Sequence, residues 1–355
     1  MYYDEMKKRV QALKRKKEIL MLAVETSCDE TSCAVVKNGR EVLSNVISSQ
    51  VEVHRKYKGV VPEIASRCHT QCISAVAEQA VSEAGLDFSR LDAVAVTSGP
   101  GLIGGLLVGV AYAKGLAFAL KKPLVPVHHI EGHICANFIT HPQLEPPFTA
   151  LIASGGHSHI VYCPDYCSYK LLGRTRDDAA GEAFDKAARV LGLPYPGGAP
   201  IGELALRGND RAFEFHSSLA KENNYDFSFS GIKTAVINLA HGYEQRGELL
   251  PKADIAASFQ RFMVDTLVQK AVSAAEHMGS EQLLLAGGVA ANKLLRETLF
   301  ERARQRGITV YFPELILCTD NAAMIGCQGY YEYLAGNTAG WDLNAKASLD
   351  ISKDR

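Results

Sequence analysis

L-A-V-E-T-S-C-D-E-T-S-C-A-V-V, residues 22–36, reads as an apolar strand, a polar turn and a second β-branched strand. Asn38-Gly39 then marks a tight turn into a third strand, E-V-L-S-N-V-I at 41–47. The same script returns at F-T-A-L-I-A-S-G-G-H-S-H-I-V-Y, residues 148–162, with a Pro164-Asp165 turn leading into Y-K-L-L at 169–172. Each triplet runs into a helical pattern, at 62–85 and at 178–192. An apolar strand ending in glycines follows, L-D-A-V-A-V-T-S-G-P-G (91–101) and Q-L-L-L-A-G-G-V-A-A-N (282–292). Another helix and a strand come next, at 124–127 and 308–312, and each strand opens a polar junction into a helix. Those junctions are V-H-H-I-E-G-H (127–133) and C-T-D-N-A-A-M-I-G (318–326). Two copies of one mixed-sheet α/β unit therefore make a duplicated, two-lobed α/β fold with an interlobe cleft. The expected boundaries are a basic arm at 1–20, lobe I at 21–147 and lobe II at 148–334 with an insertion at about 194–251. A C-terminal tail at 335–355 is expected to pack back on lobe I.

Charge narrows the partners. The 38 Lys and Arg nearly cancel the 39 Asp and Glu, so no general basic coat is available for nucleic acid. An RNA partner must be gripped by a local patch or with another subunit's help. The N-terminal run of Lys7, Lys8, Arg9, Lys14, Arg15, Lys16 and Lys17 reads first as a solvated amphipathic helix, with a tRNA-binding arm as the alternative. Nine cysteines without a C-x-x-C pair point to a reducing cytoplasm rather than a disulfide framework. Cys68/Cys72 and Cys163/Cys167 leave a zinc site open as an alternative to ordinary core thiols. The apolar stretch 101–120 has the length of a membrane span and glycines at 101, 105 and 109. Lys114 inside it and the bracketing Pro100 and Pro123 read instead as a buried core helix, with no membrane partner.

His129 and His133 lie four residues apart at a strand's carboxyl end, so on a helix both imidazoles share a face and can share a metal. Two histidines capping a helix start in solvent are the plain alternative. The acid of this motif is Glu131, not the residue directly after the first histidine, which argues against the H-E-x-x-H chemistry of a zinc peptidase. Thr26, Ser27, Asp29 and Thr31 in the first turn offer hydroxyls and N–H groups to phosphate, as do Ser154-Gly155-Gly156 and Gly287-Gly288 in the second half. Asp29 and Glu30 are candidates to touch a metal, phosphates or an attacking amine. Asn292 can read a base or ribose edge or simply cap the helix from Lys293; Lys233 can meet phosphate or solvent.

The motifs E-T-S-C-D-E-T (25–31), H-I-E-G-H (129–133), S-G-G-H (154–157), D-D-A-A-G-E-A-F-D-K (177–186), Y-P-G-G (195–198), F-S-F-S-G-I-K-T (227–234), G-G-V-A-A-N (287–292) and C-T-D-N (318–321) stand in order. Together they resemble the bacterial tRNA N6-adenosine threonylcarbamoyltransferase family, from about Leu22 to Leu334. The resemblance implies the ribonuclease H-like fold shared by actin, the Hsp70 ATPase and sugar kinases. It implies transfer of threonylcarbamoyl from threonylcarbamoyl-adenylate to N6 of the adenosine 3′ of the anticodon in tRNAs reading codons that begin with A. AMP is the other product. It also implies one Fe2+ or Zn2+ held by His129, His133 and Asp320. Donor contacts would fall on Ile152, Ala153, Ser154, Gly155, Gly156, Asp185, Gly198 and Asn292. Similar proteins carry an acid for a ribose hydroxyl where this chain has Gly202, with Glu203 beside it. The implied partners are tRNA, a pseudo-duplicated companion (TsaB) and a small ATPase (TsaE), in the cytoplasm.

By the residues alone, a phosphotransferase or ATPase using ATP and Mg2+ on the same turns competes with this reading. A metallopeptidase and a non-catalytic scaffold are the remaining classes. Two imidazoles suit a softer transition metal better than Mg2+.

Overall fold

The computed structural model describes residues 2–13, 16–216, 219, 222 and 224–352. Met1, Lys14 and Arg15 of the basic arm, residues 217, 218, 220, 221 and 223 of the insertion, and 353–355 of the tail lie outside the described residues.

The first elements in the chain are α1 (Tyr2–Leu13), β1 (Leu20–Glu25), β2 (Glu30–Lys37), β3 (Glu41–Ser49), α2 (Val51–Arg55) and α3 (Pro62–Glu83). They are followed by β4 (Ala93–Gly99), α4 (Ile103–Leu120), β5 (Leu124–His128) and α5 (His129–Thr140). The sheet runs β3-β2-β1-β4-β5, with β1, β2 and β3 antiparallel and β4 and β5 parallel to β1. The second group is β6 (Phe148–Ala153), β7 (Ser158–Cys163), β8 (Lys170–Arg174), α6 (Ala180–Leu191), α7 (Gly198–Ala205) and α8 (Ser230–Arg246). Then come α9 (Lys252–His277), β9 (Gln282–Ala286), α10 (Lys293–Arg304) and β10 (Thr309–Tyr311). Its sheet, β8-β7-β6-β9-β10, repeats the first in order and in sense. The duplicated α/β class expected from residues 22–36 and 148–162 is therefore the observed fold.

The last two helices, α11 (Leu315–Cys318) and α12 (Ala322–Ala335), break the expected boundary. Compact unit 1 comprises Met1–Glu145, Asp165–Ser168 and Pro313–Arg355, and unit 2 comprises Pro146–Pro164 and Tyr169–Phe312. Residues 313–334, expected in lobe II, thus belong with unit 1. Packing is the reason. Helix α12 is apolar nearly all round, and such a helix is stable only when covered on most sides. Its Ala322, Ala323, Met324, Ile325 and Tyr333 share one core with Met21, Ala23, Val36, Ala95, Val125 and Val127 of the first sheet. Gly326 and Gly329 let it approach closely: a Cβ at either would lie 2.6 Å from Val36 Cγ2 or 2.7 Å from Ala95 Cβ. The tail also joins unit 1, where Ala339 N–H donates to Leu124 (2.9 Å) and Lys346 N–H to Ser98 (2.8 Å).

Helix α4 is long and apolar enough to cross a membrane by length and composition. In unit 1 its Gly105, Leu106, Gly109, Val110, Ala113 and Ala117 are buried, so one face of it is a core face. The glycine spacing serves the end of β1. A Cβ on Gly105 would strike the Thr26 carbonyl oxygen and one on Gly109 the Thr26 hydroxyl, which itself donates to the Gly105 carbonyl at 2.9 Å. Gly109→Val is expected to destabilise the protein by about 1–3 kcal/mol through overpacking, read as a lowered urea midpoint at unchanged m-value.

Candidate functional site

In unit 1 the sequence expectation of a strand running into a histidine-bearing helix is met, with the strand one residue longer than expected at its end. Strand β5 ends at His128, whose Nδ1 accepts the Ile130 N–H at 3.2 Å and so caps α5. That cap starts the helix at His129, and the 3.6-residue period stacks His133 one turn on, ring centroids 4.6 Å apart. Both imidazoles are buried, which sets aside the reading of solvated helix-start histidines.

Asp320 completes the group. The candidate ligand atoms of His129, His133 and Asp320 lie within 4.8 Å of one another. Asp320 Oδ1 stands 3.6 Å from His129 Nε2 and 3.2 Å from His133 Nε2. Asp320 is not the cap of α12; its neighbour Asn321 is, with Oδ1 accepting the Met324 N–H at 3.0 Å. Ser32 Oγ accepts the Ala322 N–H at 2.9 Å, fixing the start of α12 on β2. The expectation that the ligands come from the two duplicated halves is corrected here, because α11 and α12 return to unit 1 and bring Asp320 with them.

The surroundings fit a metal. Both ring nitrogens of His133 are buried without a hydrogen-bond partner. Orphaned buried nitrogens are costly unless something coordinates them. His129 is backed by Glu25, whose Oε2 lies 3.1 Å from Nδ1, with Ser27 Oγ also at 3.1 Å. A carboxylate behind one ring nitrogen is the usual way a metal-binding imidazole is oriented, since it directs the other nitrogen at the ion. Burial disfavours charge on His129, but the Glu25 and Asp320 carboxylates outweigh it and lift its pKa to about 9. Glu25, although fully buried, is held below the usual carboxylate range mainly by His129.

Asp29 ends the turn between β1 and β2 and Glu30 begins β2, on the same unit. Burial, followed by the charges of Asp320 and Asp29 and a hydrogen bond with Asp29, pushes Glu30 up to about 9. Asp29, Glu30 and Asp320 thus act on one another as like charges, an arrangement a cation relieves. Burial and the same acids raise the Cys28 thiol, which disqualifies it as a thiolate nucleophile. Glu131 does not serve the metal group. Its Oε2 accepts the Gln328 amide at 3.2 Å in the seam between α5 and α12, which removes the metallopeptidase reading's general base. Among the described residues no cysteine joins a metal-ligand group, so the cysteine-pair zinc site is not formed there.

Unit 2 gathers the remaining candidates around the end of β6. Ile152 and Ala153 close that strand and are buried. Ser154-Gly155-Gly156 form the following turn, and Gly181 packs so tightly on it that a Cβ would lie 2.8 Å from Gly155 Cα. Gly287, at φ +88°, occupies the left-handed region against the Ala153 carbonyl, where a side chain would clash. Asp185 on α6 accepts the Gly197 N–H at 2.7 Å, bracing the turn before Gly198. Asn292 Oδ1 caps α10 by accepting the Leu295 N–H at 3.0 Å, while its Nδ2 donates to Gln260 Oε1, also at 3.0 Å. Gly202 faces the same amide, with Gln260 Oε1 3.4 Å from where its Cβ would be, and Glu203 is exposed. Gln260 was missed from sequence; a polar residue inside the long apolar pattern of α9 was the available signal.

Known proteins resemble the chain along nearly its whole length. The family model described as TsaD, tRNA N6-adenosine threonylcarbamoyltransferase, matches residues 41–327. A protein of that name from Clostridium perfringens strain SM101 is 54% identical over 334 residues, 94% of this chain and 98% of that one. Another from Clostridium botulinum strain Kyoto is 53% identical over 338 residues, 95% and 99% of the two chains. Among solved structures, T. kodakarensis HypF matches with TM-score 0.58 at 15% identity, over 89% of this chain and 47% of that one. Component A of Acidaminococcus fermentans (R)-2-hydroxyglutaryl-CoA dehydratase matches with TM-score 0.52 at 14% identity, over 90% and 99%. Identities that low speak for the fold alone, and they agree with the duplicated ribonuclease H-like class.

Proposed function

The chain belongs to the tRNA N6-adenosine threonylcarbamoyltransferase family, an acyltransferase family acting on tRNA, and from that membership we propose the finer reaction. Threonylcarbamoyl-adenylate is the donor and the acceptor is N6 of the adenosine 3′ of the anticodon in tRNAs reading codons that begin with A. The protein works in the cytoplasm. The observation that carries the reading is the group of buried His129 and His133 with half-buried Asp320, in which the His133 nitrogens make no hydrogen bond, on a chain of this family.

N6 of adenosine is a weak nucleophile because its lone pair is delocalised into the ring. Its bond to the carbamoyl carbon forms as the bond from that carbon to the phosphate oxygen breaks. The electron pair leaves with AMP, and the N6 proton passes to the departing phosphate. The protein must therefore align two reactants and stabilise developing negative charge. An iron or zinc ion on His129, His133 and Asp320 supplies Lewis acidity for the donor's oxygens when bound. Glu25 keeps the His129 ring turned toward Asp320. Asp29 and Glu30, on the same unit as the metal group, are the acids that face the carbamoyl group. The N–H groups of Gly155 and Gly156 hold the phosphate, in a turn that Ser154 closes by donating its N–H to the His157 carbonyl at 2.8 Å, against the apolar end formed by Ile152 and Ala153. Gly198 and Gly202 leave room for the donor's sugar beside Asp185 and Asn292.

The companions in this reading are TsaB and TsaE. On α3 the apolar residues Ile73, Val76, Ala77, Ala80 and Val81 are core. Helix α4 instead exposes an apolar stripe, with Ile103 and Leu107 each 46% and Phe118 67% exposed. We assign this stripe to the pseudo-duplicated companion. Leu107→Glu is expected to weaken companion binding by about tenfold or more in sedimentation or interferometry, with the isolated protein's melting temperature unchanged.

The deciding experiment incubates the metal-loaded protein with its companions, threonylcarbamoyl-adenylate and unmodified tRNA, then analyses nucleosides by mass. Threonylcarbamoyl-adenosine at the position 3′ of the anticodon supports the proposal. Unmodified tRNA, together with Mg2+-dependent ATP hydrolysis and no bound iron or zinc, would favour the phosphotransferase alternative.

A further inference from the structure

We propose that His69 is a positioning residue of the reaction, a single imidazole that grips both flanks of the Asp29–Glu30 pair. The proposal rests on the transferase reading above. His69 lies on α3 and is fully buried. Its Nε2 is 3.0 Å from the Cys28 carbonyl oxygen and its Nδ1 is 2.7 Å from Thr31 Oγ1. A carbonyl only accepts, so Nε2 carries the proton and Nδ1 accepts from the Thr31 hydroxyl. The single hydrogen of the Cys72 thiol has two acceptors in reach, the Cys68 carbonyl at 3.1 Å and the Thr31 oxygen at 3.2 Å.

One rigid ring therefore ties residue 28 to residue 31, and the two acids are the residues between. A second tie completes the hold: Gln50 N–H donates to the Asp29 carbonyl at 3.1 Å. Gln50 also reaches His69 Nδ1 at 3.4 Å and accepts from His54 Nε2 at 3.2 Å, so α2 and α3 grip the turn together. Helix α4 closes over the ring, since a Cβ on Gly105 would lie 3.1 Å from His69 Nε2. Burial lowers the pKa of His69, which keeps the ring in the neutral form both bonds need. A free turn carrying two acids this close to Asp320 would spread under their mutual repulsion. The clamp opposes that, and its value is catalytic because misplacement by an ångström can cost a hundredfold in rate.

The test measures kcat, KM for threonylcarbamoyl-adenylate and bound iron or zinc in the reconstituted reaction. His69→Ala is expected to lower kcat by about tenfold to a hundredfold, with KM and metal content within about twofold of wild type. His69→Gln keeps an amide able to donate to the Cys28 carbonyl and should recover most of the loss. A residue that merely fills space would lower the melting temperature without changing kcat per folded molecule. Wild-type kcat in His69→Ala, or glutamine no better than alanine, overturns the proposal. Should His69→Ala not fold, Thr31→Val carries the test: a kcat loss of about threefold to tenfold at wild-type melting temperature supports the clamp, and no loss overturns it. An inactive wild type would instead overturn the transferase reading and this proposal with it.

Discussion

His133→Ala is expected to remove bound iron or zinc and to slow threonylcarbamoyl transfer by at least about a thousandfold, several kcal/mol of lost charge stabilisation. The substitution is clean for a physical reason. Neither ring nitrogen of His133 makes a hydrogen bond, and the carboxylate beside it, Asp320 Oδ1 at 3.2 Å from Nε2, keeps His129 Nε2 at 3.6 Å. What remains is a packing loss of about 1–3 kcal/mol, which a domain stable by about 5–15 kcal/mol survives. His129→Ala behaves differently. It strips the buried Glu25 carboxylate of its imidazole partner, and an uncompensated buried charge costs about 3–5 kcal/mol. The double variant should therefore be inactive and also less stable, whereas His133→Ala should be inactive at nearly wild-type circular dichroism. Metal content by mass spectrometry and nucleoside analysis check both. Wild-type turnover by metal-free His133→Ala would remove the three-residue group from the reaction.

Most of the fold was legible because strands and turns leave local marks. The polar turn at 26–31 and the glycine turns at 99–101 and 287–288 bound apolar runs whose repetition announces a duplicated sheet. The destination of α12 was not legible. Its residues resemble any buried helix, and only the fit of Gly326 on Val36 and Gly329 on Ala95 sends it to the first sheet. That single long-range choice also decides where Asp320 lies. The metal group was half legible in the same sense. The four-residue spacing of His129 and His133 is local, whereas their meeting with a side chain 187 positions beyond His133 is tertiary.

Residues that support other residues were the least legible. Glu25 ends a strand and reads as its polar terminus, His69 reads as one more helix residue, and Gln260 as a solvated amide. Each acquires its role only from what it touches: His129, the Cys28–Thr31 turn, and Asn292 beside Gly202. Asn292 shows the converse. Its capping reading, the plainer one, is visible in the structure, so any contact with a donor must come in addition to two bonds already made.

Glu25→Gln is expected to weaken metal binding by about tenfold to a hundredfold and to lower transfer in step at limiting metal. The carboxylate accepts from three donors: Ser27 N–H at 2.5 Å on Oε1, and the Thr97 hydroxyl at 2.6 Å and His129 Nδ1 at 3.1 Å on Oε2. A glutamine of nearly the same shape has one acceptor atom and one donor atom. If its oxygen faces Thr97 and His129, its NH2 opposes the Ser27 N–H; if it turns, the NH2 opposes the hydroxyl and the imidazole. Either way one buried donor loses its acceptor, at a cost of about 1–3 kcal/mol in stability. The charge that makes His129 Nε2 a strong ligand is also gone. Excess metal should therefore restore transfer in Glu25→Gln while leaving His133→Ala inactive, since the first variant has lost only the backing of a ligand and the second the ligand itself. Titration with Zn2+ against a competing chelator measures the first effect directly. An unchanged affinity in Glu25→Gln would mean that Glu25 serves the packing of β1 and β4 alone, and that His129 needs no partner to hold its ring.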